Sequence, residues 1–419
     1  MTAPSPLPRV LPVREQSQRI NSALADRLDS VLPVAMRTAD LDAWLIICQE
    51  DDLDPIFTTM IPMDTWCPIL HILLFIDRGD HIERLNISGT NTHTLYDRPY
   101  NGQLVEEQWT RLVSALELAD PLRVGLNFGS IQWAAGGLTF NLLQQLLARV
   151  PERFRTRFVS AEPAAIHWST SLTPTDIAIY EDVSVLAHAI IADTYSRTAI
   201  EPGLTTIDDL TWYYWQRCND LGLPMSFKPS FRLIRSASSK LRLGDNDQVI
   251  RGGDLIHCDV GFKYLRFNSD HQQIAYVLGP GEHDAPAGLK SLLAEGNRLQ
   301  DIFMQSFESG ISGDELLAII LKKARDAAIP GPKVYSHSVG LFLHEPGPLI
   351  GLPWEQESNP GRGDVLVIPN SCFTMELSVT GPVAEWDGEE VRLPLEEDVL
   401  WDGAICRPLD GRQTAFHLI

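Results

Sequence analysis

Two aspartates set in apolar sequence constrain this chain more than any other feature. The stretch from Asp254 to Val277, DLIHCDVGFKYLRFNSDHQQIAYV, surrounds Asp259 with Leu255, Ile256, Cys258 and Val260, and follows Asp270 with Ile274, Ala275, Tyr276 and Val277. Both segments have the content of strands, and Lys263 to Ser269 is a turn-rich connection, so the stretch predicts two neighbouring antiparallel strands. Burying a lone carboxylate costs roughly several kcal/mol, so each acid must be paired, protonated or bound to metal. The rest of the chain has to supply what neutralises them.

A chain of 419 residues predicts two domains, each with its own core. Hydrophobic content of 44% against 21% charged residues excludes a disordered or collagen-like chain. The net charge of −21 repels phosphate backbones and anionic lipid, which argues against nucleic acid and membrane surfaces as partners. Six cysteines, at positions 48, 67, 218, 258, 372 and 406, form no C-x-x-C pair and read as reduced core thiols of a cytoplasmic protein. The N-terminal MTAPSPLPRVLPVREQSQ carries proline and charge where a signal peptide needs an apolar core. The longest apolar run, Ile69 to Ile76, is too short to span a bilayer, so neither a targeting nor a transmembrane segment is expected.

In the first 172 residues strands and helices alternate. A helical period from about Glu15 carries Ile20, Leu24, Leu28 and Val31 and is expected to end or kink at Pro33. Trp44 to Cys48 reads as a buried strand, Leu70 to Ile76 and His81 to Ile87 as a hairpin about the turn Asp77-Arg78-Gly79-Asp80, and Arg123 to Phe128 and Arg155 to Ser160 as further strands. Gln103 to Leu118 and Leu138 to Val150 read as helices. The expectation is a mixed α/β domain over 1–172 with no catalytic cluster of its own.

A second domain, 173–419, opens with Thr173-Pro174-Thr175-Asp176, an N-cap, a proline at the first helical position and an acid three residues after the cap. A second helix from Thr205 or Thr206 carries Trp212, Tyr213, Tyr214 and Trp215, which read as core and interface packing. Helices are expected over Ala287 to Glu308 and Gly313 to Ala328, with strands dominating elsewhere. Downstream, YSHSVGLFLHEPGP holds His337 and His344, seven residues apart. The alternation of Phe373 to Val379 reads as one strand with Glu376 at its centre, and Glu396 begins a final strand through Leu400.

Asp259, Asp270 eleven residues on, His337 with His344 seven further, then Glu376 and Glu396 on separate strands: this order resembles the pita-bread metallopeptidases, namely methionine aminopeptidase, prolidase, aminopeptidase P and creatinase. The resemblance implies an α/β (α+β) chain, a creatinase-type N-terminal domain over 1–172 and a pita-bread catalytic domain over 173–419 with a curved, largely antiparallel sheet and flanking helices. It implies five metal ligands, Asp259, Asp270, His337, Glu376 and Glu396, holding two divalent ions. Manganese is the first choice, with cobalt, zinc or iron as others. Four carboxylates need about that much positive charge. The implied activity is that of an Xaa-Pro aminopeptidase or dipeptidase, a cytoplasmic homodimer that hydrolyses the N-terminal bond of a short peptide through a hydroxide bridging the ions. Glu376 is the implied proton shuttle, and His344, in His344-Glu345-Pro346-Gly347, the implied donor to substrate.

The pattern is broken in three places. The histidine expected about seventeen residues before Asp259 is absent, with Arg242 near its position; Asp270 is followed by His271-Gln272-Gln273 in place of the usual Thr and Arg; Glu376 is followed by Leu377-Ser378 in place of Pro-Gly. Two other readings stand beside the peptidase: a creatinase-like hydrolase of a small non-peptide C–N bond, and a non-catalytic binding protein on the same fold. Of the remaining candidates, His257 shares the face of Asp259 and reads as standing behind a ligand, His271 as a possible ligand, and His283 as a surface residue. Arg362-Gly363-Asp364 reads as a surface turn after Asn359-Pro360-Gly361. His337 and His344-Glu345 do not form H-E-x-x-H, which counts against a single-zinc protease.

Overall fold

The computed structural model describes residues 7–100, 102, 104–130, 135–244 and 246–419. It comprises two compact units. One takes Leu11–Ile177 with Glu345–Gly347, and the other takes Ala178–His344 and Pro348–Ile419 with residues 7–10. The first six residues of the N-terminal stretch, and Gln103 at the expected start of a helix, lie outside the described residues. Among those described, no helix is long and apolar enough to cross a membrane. No cysteine is in a disulfide; Cys67 is half-buried and the other five are buried.

The first unit is built on one mixed sheet. Its strands are β1 (Ala43–Gln49), β2 (Leu70–Asp77), β3 (Ile82–Ile87), β4 (Asp97–Tyr100), β5 (Val124–Leu126) and β6 (Phe158–Ser160), in the order β4-β3-β2-β1-β5-β6. β2 and β3 form the expected antiparallel hairpin, with Gly79 at φ +91° in its turn. The helices Val105–Ala119 and Phe140–Arg149 carry the chain back across the sheet, which is why β5 and β6 run parallel to β1. Ala43, Leu45 and Ile47 pack with Trp109, Leu112, Leu116, Leu142 and Leu146 on one face. Trp44, Ile46 and Cys48 on the other face are equally buried, so the sheet is covered on both sides.

Pro33 does not end the first helix, as the sequence suggested; Val13–Thr38 is continuous through it. Proline removes one backbone bond, and the burial of Leu28, Val31, Leu32, Ala35 and Met36 on either side holds the helix together across the gap. One turn earlier, Arg27 is buried at 3% exposure, donates to Asp176 Oδ2 at 2.8 Å and also bonds the carbonyls of Trp168 and Ser171. Replacing Arg27 by Ala leaves Asp176 uncompensated, and the expected loss is about 3–5 kcal/mol of unfolding free energy. Urea unfolding of the full chain measures it; a loss under 1 kcal/mol would show that Asp176 finds another partner.

The helix start read at Thr173 is present. Thr173 N donates to Asp176 Oδ2 and Asp176 N to Thr173 Oγ1, a reciprocal cap for the helix Pro174–Thr194. Thr206 and Asp209 make the same box at the head of Ile207–Asp220. Of the aromatic cluster, Tyr214 alone is fully buried. Trp212 is 58% exposed and stacks on Trp215, so the cluster is only in part core. The helices Ala287–Met304 and Gly313–Asp326 pack on strand residues such as Val379, Val383 and Leu393 in one apolar core.

The strands of this unit form short ladders, antiparallel but for β20 on β11. β7 (Ser230–Ile234), β8 (Leu255–Val260), β11 (His271–Tyr276) and β20 (His417–Leu418) make one, and β9 (Lys263–Tyr264) and β10 (Phe267–Asn268) form a hairpin between β8 and β11. The tip of that hairpin, Leu265 and Arg266, holds φ of 50° and 77°, the left-handed geometry of a tight two-residue turn. Gly261 is required there, because a Cβ would lie 2.1 Å from the Ser269 carbonyl oxygen. The others are β12 (Lys333–Val334) with β16 (Leu377–Val383) and β17 (Glu389–Leu395), β13 (Ser336–His337) with β14 (Leu349–Ile350), and β15 (Ser371–Thr374) with β18 (Asp398–Trp401) and β19 (Cys406–Pro408).

Two expectations are corrected here. Phe373 to Val379 is not one strand: β15 and β16 belong to different ladders, and Glu376 sits in the break. Phe373, Met375, Leu377 and Val379 are all fully buried, so the side-chain alternation continues while the hydrogen-bond partner changes. Nor does Glu396 begin the final strand; it lies between β17 and β18, and β19 and β20 follow.

Candidate metal centre

The pairing of β8 with β11 sets Gln272 opposite Asp259, so these two side chains share a face, and Asp270, two residues from Gln272, shares it as well. Glu396 joins them through reciprocal backbone bonds with Gln272, each 3.1 Å. The Gln272 amide then spans two acids, donating to Glu376 Oε1 at 2.6 Å and to Glu396 Oε2 at 2.8 Å, while His257 Nε2 donates to its Oε1 at 2.9 Å. His257 thus backs Gln272 and touches no acid of the group. Sequence reasoning noted Gln272 only as a departure; it is the residue that orients both glutamates.

His337 comes from β13. Its Nδ1 lies 3.0 Å from the Ser338 carbonyl, which only accepts, so Nδ1 carries the proton and Nε2 presents a lone pair. That Nε2 is 3.7 Å from Asp270 Oδ2, and Asp270, His337 and Glu396 each offer an atom within 4.8 Å of the others. Burial first, then the charges of His344 and Arg362, hold His337 down at about 3, so it is neutral.

The acids strain against one another. Burial pushes Asp259 up to about 6 despite Arg232, and burial followed by the charge of Asp259 pushes Glu376 up to about 8. Asp270 and Glu396 are driven well above the carboxylate range by burial first and the neighbouring acids second. Glu396 Oε1 is buried without any protein partner. Four carboxylates, one imidazole lone pair and an orphaned buried oxygen fit divalent cations, and the oxygen-rich set with a single nitrogen suits manganese, cobalt, iron or zinc.

The other expected residues fall around this group. The ring of His344, an exposed residue, meets that of His337 edge to face at 4.5 Å. Asp259, Glu376, His257 and Gln272 line a cavity of about 530 Å³ whose wall also carries Arg232, Lys240 and Arg392. Lys240, not the exposed Arg242, therefore reaches the cavity from the segment where the upstream histidine is missing. Arg392 fixes Ser378 and the Tyr335 hydroxyl, at 3.1 and 2.8 Å. His283 is exposed, as expected, and His271 faces away with Glu397.

Arg362 was read as part of a surface turn; residues 360–364 do form a turn, but the arginine is not a surface residue. Its side chain is half-buried, Nε and Nη2 have no protein partner, and its charge helps to lower both His337 and His344. Its sequence context of Gly and Pro concealed it; the only signal was a basic residue between two ligand segments of an acidic chain.

Comparison with known proteins places the fold. The fold is similar to an X-Pro aminopeptidase from Thermotoga maritima, with a TM-score of 0.65 at 16% identity over 92% of this chain and 100% of that one. It is similar also to an Xaa-Pro dipeptidase from Bacillus anthracis, at 0.58 and 14% over 97% and 99%. A third similar structure is the N-terminal domain of the FACT complex subunit SPT16 from chickpea, at 0.57 and 11% over 94% and 98%. Comparison with curated protein sequences gave no match. The fold is the pita-bread architecture that the order of acids and histidines implied. Residues 181–401, which carry all five candidate ligands and His344, match the family model of the M24 metallopeptidases, and the chain belongs to that family of hydrolytic peptidases.

Proposed function

We propose that the chain is a dinuclear metal-dependent exopeptidase acting on short peptides with proline in second position. The observation that carries this reading is the buried group of Asp270, His337 and Glu396, with Asp259 and Glu376 close enough to repel its charge and Glu396 Oε1 left without a protein partner. Manganese is the first choice of ion. Divalent ions held there supply Lewis acidity and an activated water. Glu376, oriented by Gln272, takes the proton released from the attacking water and passes it to the leaving amine. His344 donates its N–H to the charge that develops on the scissile carbonyl. After reconstitution with excess manganese, elemental analysis is expected to give two more ions per chain in wild type than in the Asp259→Ala, Asp270→Ala double variant, and a wild type holding no more than that variant would overturn the assignment.

Arg362 favours a dipeptidase over an aminopeptidase of longer chains. A half-buried guanidinium with two free donors beside His337 and His344 suits a peptide carboxylate close to the scissile bond. Arg362→Ala is expected to raise KM for free Xaa-Pro dipeptides by about 10- to 150-fold, the ~1.5–3 kcal/mol of a charged hydrogen bond. The same peptides amidated at the C-terminus should be poor substrates for wild type and variant alike. Equal turnover of free and amidated peptides by the wild type would move the reading to an aminopeptidase.

The reading extends to the whole chain as two domains, 1–172 and 173–419, in a cytoplasmic homodimer. Among its described residues the first unit presents no cluster of catalytic groups, and assembly is the role that accounts for its size. Light scattering reads the dimer directly, and a mass of 46.7 kDa at every concentration would remove it.

A further inference from the structure

The strands that carry the acids of the metal centre have a second face. Gln272 and Glu396 point to one side, and Gln273 and Glu397 pair on the other, with Gln273 Nε2 donating to Glu397 Oε1 at 3.1 Å. His271 lies on that far side, and His188 reaches it from the helix Pro174–Thr194. His188 Nε2 is 2.6 Å from Glu397 Oε2, and His271 Nε2 is 3.8 Å from the same oxygen. Each of the three residues offers a ligand atom within 4.8 Å of the others.

His188 and Glu397 are also held from behind, and a carboxylate lies behind His271. Asp410 Oδ2 sits 2.9 Å from His188 Nδ1, the Gln413 backbone N–H donates to Glu397 Oε1 at 2.9 Å, and Asp398 Oδ2 lies 3.8 Å from His271 Nδ1. A carboxylate behind each imidazole, with Nε2 facing inward, is how metal-bound histidines are oriented. His271 gives the independent sign that something is to be bound. It is 1% exposed, and its Nδ1 has no hydrogen-bond partner in the protein, a cost of about 1–3 kcal/mol if nothing else satisfies it, while its Nε2 stands 3.8 Å from Glu397 Oε2.

We propose that His188, His271 and Glu397 form a separate divalent-metal site, with zinc as its ion, on the face of β11 and of the β17–β18 junction opposite the peptidase centre. Two imidazole nitrogens and one carboxylate oxygen are a zinc donor set, with a fourth position left for water, whereas the front site is oxygen-rich. Binding displaces the proton that lies between His188 Nε2 and Glu397 Oε2, while Asp410 keeps the proton on His188 Nδ1. His188 is 18% exposed, which gives the ion a way in. The bound ion ties the helix to the chain segments that position Asp270 and Glu396.

The test uses the full chain, stripped with chelator and reloaded with excess zinc. Wild type should hold one more zinc than His188→Gln, and His337→Ala, altered only at the front site, should keep the ion that His188→Gln loses. Equal zinc in wild type and His188→Gln overturns the proposal. Anomalous diffraction at the zinc edge from wild-type crystals needs no variant: a peak bounded by His188 Nε2, His271 Nε2 and Glu397 Oε2 is expected, and a water there overturns it. Front-site and rear-site peaks are separate readings, so failure of the peptidase assignment would leave this one standing, and the reverse.

Discussion

Asp270→Asn is expected to lower kcat/KM on Xaa-Pro peptides about a thousandfold or more and to stabilise the metal-free protein. The first effect follows from removing a carboxylate that faces both His337 and Glu396, which at ~4 kcal/mol of lost transition-state stabilisation corresponds to about three powers of ten. The second has the opposite sign and is the sharper test. Without ions the four acids repel, and neutralising one relieves a buried charge at a gain of about 1–4 kcal/mol. The pH dependence has the same origin. Asp259 is raised to about 6 and Glu376 to about 8, so between these values and the ordinary range near 4 the folded chain binds more protons than the unfolded one. Stability of the metal-free protein is therefore highest below about pH 4–5 as far as these groups decide it, and falls as pH rises through 6 to 8. Added manganese should raise the melting temperature most at pH 8, and in Asp270→Asn hardly at all. Thermal melts with and without chelator measure this. A metal-free wild type no less stable at pH 8 than at pH 5 would show that the acids do not converge.

The acids were legible because burial and charge conflict in the sequence itself. An aspartate inside Leu-Ile-His-Cys-Asp-Val needs a partner, and the order of the later His and Glu residues pointed to candidates, of which His337 and Glu396 meet Asp270. Helix starts were legible for the same local reason: Thr173 with Asp176 and Thr206 with Asp209 are capping pairs three residues apart, and both form.

What failed to show was whatever depends on partners remote in sequence. The break at Glu376 leaves the alternation of Phe373, Met375, Leu377 and Val379 intact, since those residues stay buried whichever ladder the backbone joins. Pro33 signals a helix end only if packing on either side is ignored. Gln272 and Arg362 carry no periodic signal at all. Gln272 matters because two glutamates more than a hundred residues downstream meet its amide, and Arg362 because a Gly-rich turn folds inward beside two histidines. His188 belongs to no local pattern either, and only the fold brings it to Glu397.

His344→Ala is expected to lower kcat by about 10²–10³-fold, the ~2.7–4 kcal/mol of a lost oxyanion donor, while leaving metal content unchanged. The geometry separates the two readouts. His337 uses Nδ1 on Ser338 and keeps Nε2 for the acids, whereas His344 stands edge to face with that ring and is outside the group of converging ligand atoms. Desolvation by the surrounding protein, and then the Arg362 charge, lower the pKa of His344, so at neutral pH it is an uncharged ring with one N–H to give. In this chain no histidine occupies the usual place upstream of Asp259, and His257 is committed to Gln272. His344 is thus the one imidazole of the group with its donor uncommitted among the described residues, and its removal cannot be shared out. His344→Gln, which keeps a donor on a side chain of similar reach, should recover part of the loss, as a purely packing role would not allow. Single-turnover kinetics on a free Xaa-Pro dipeptide, with metal measured on the same samples, decide the matter. Loss of metal in parallel with kcat would make His344 a support for His337, and full turnover in His344→Ala would leave the oxyanion without any donor from this side.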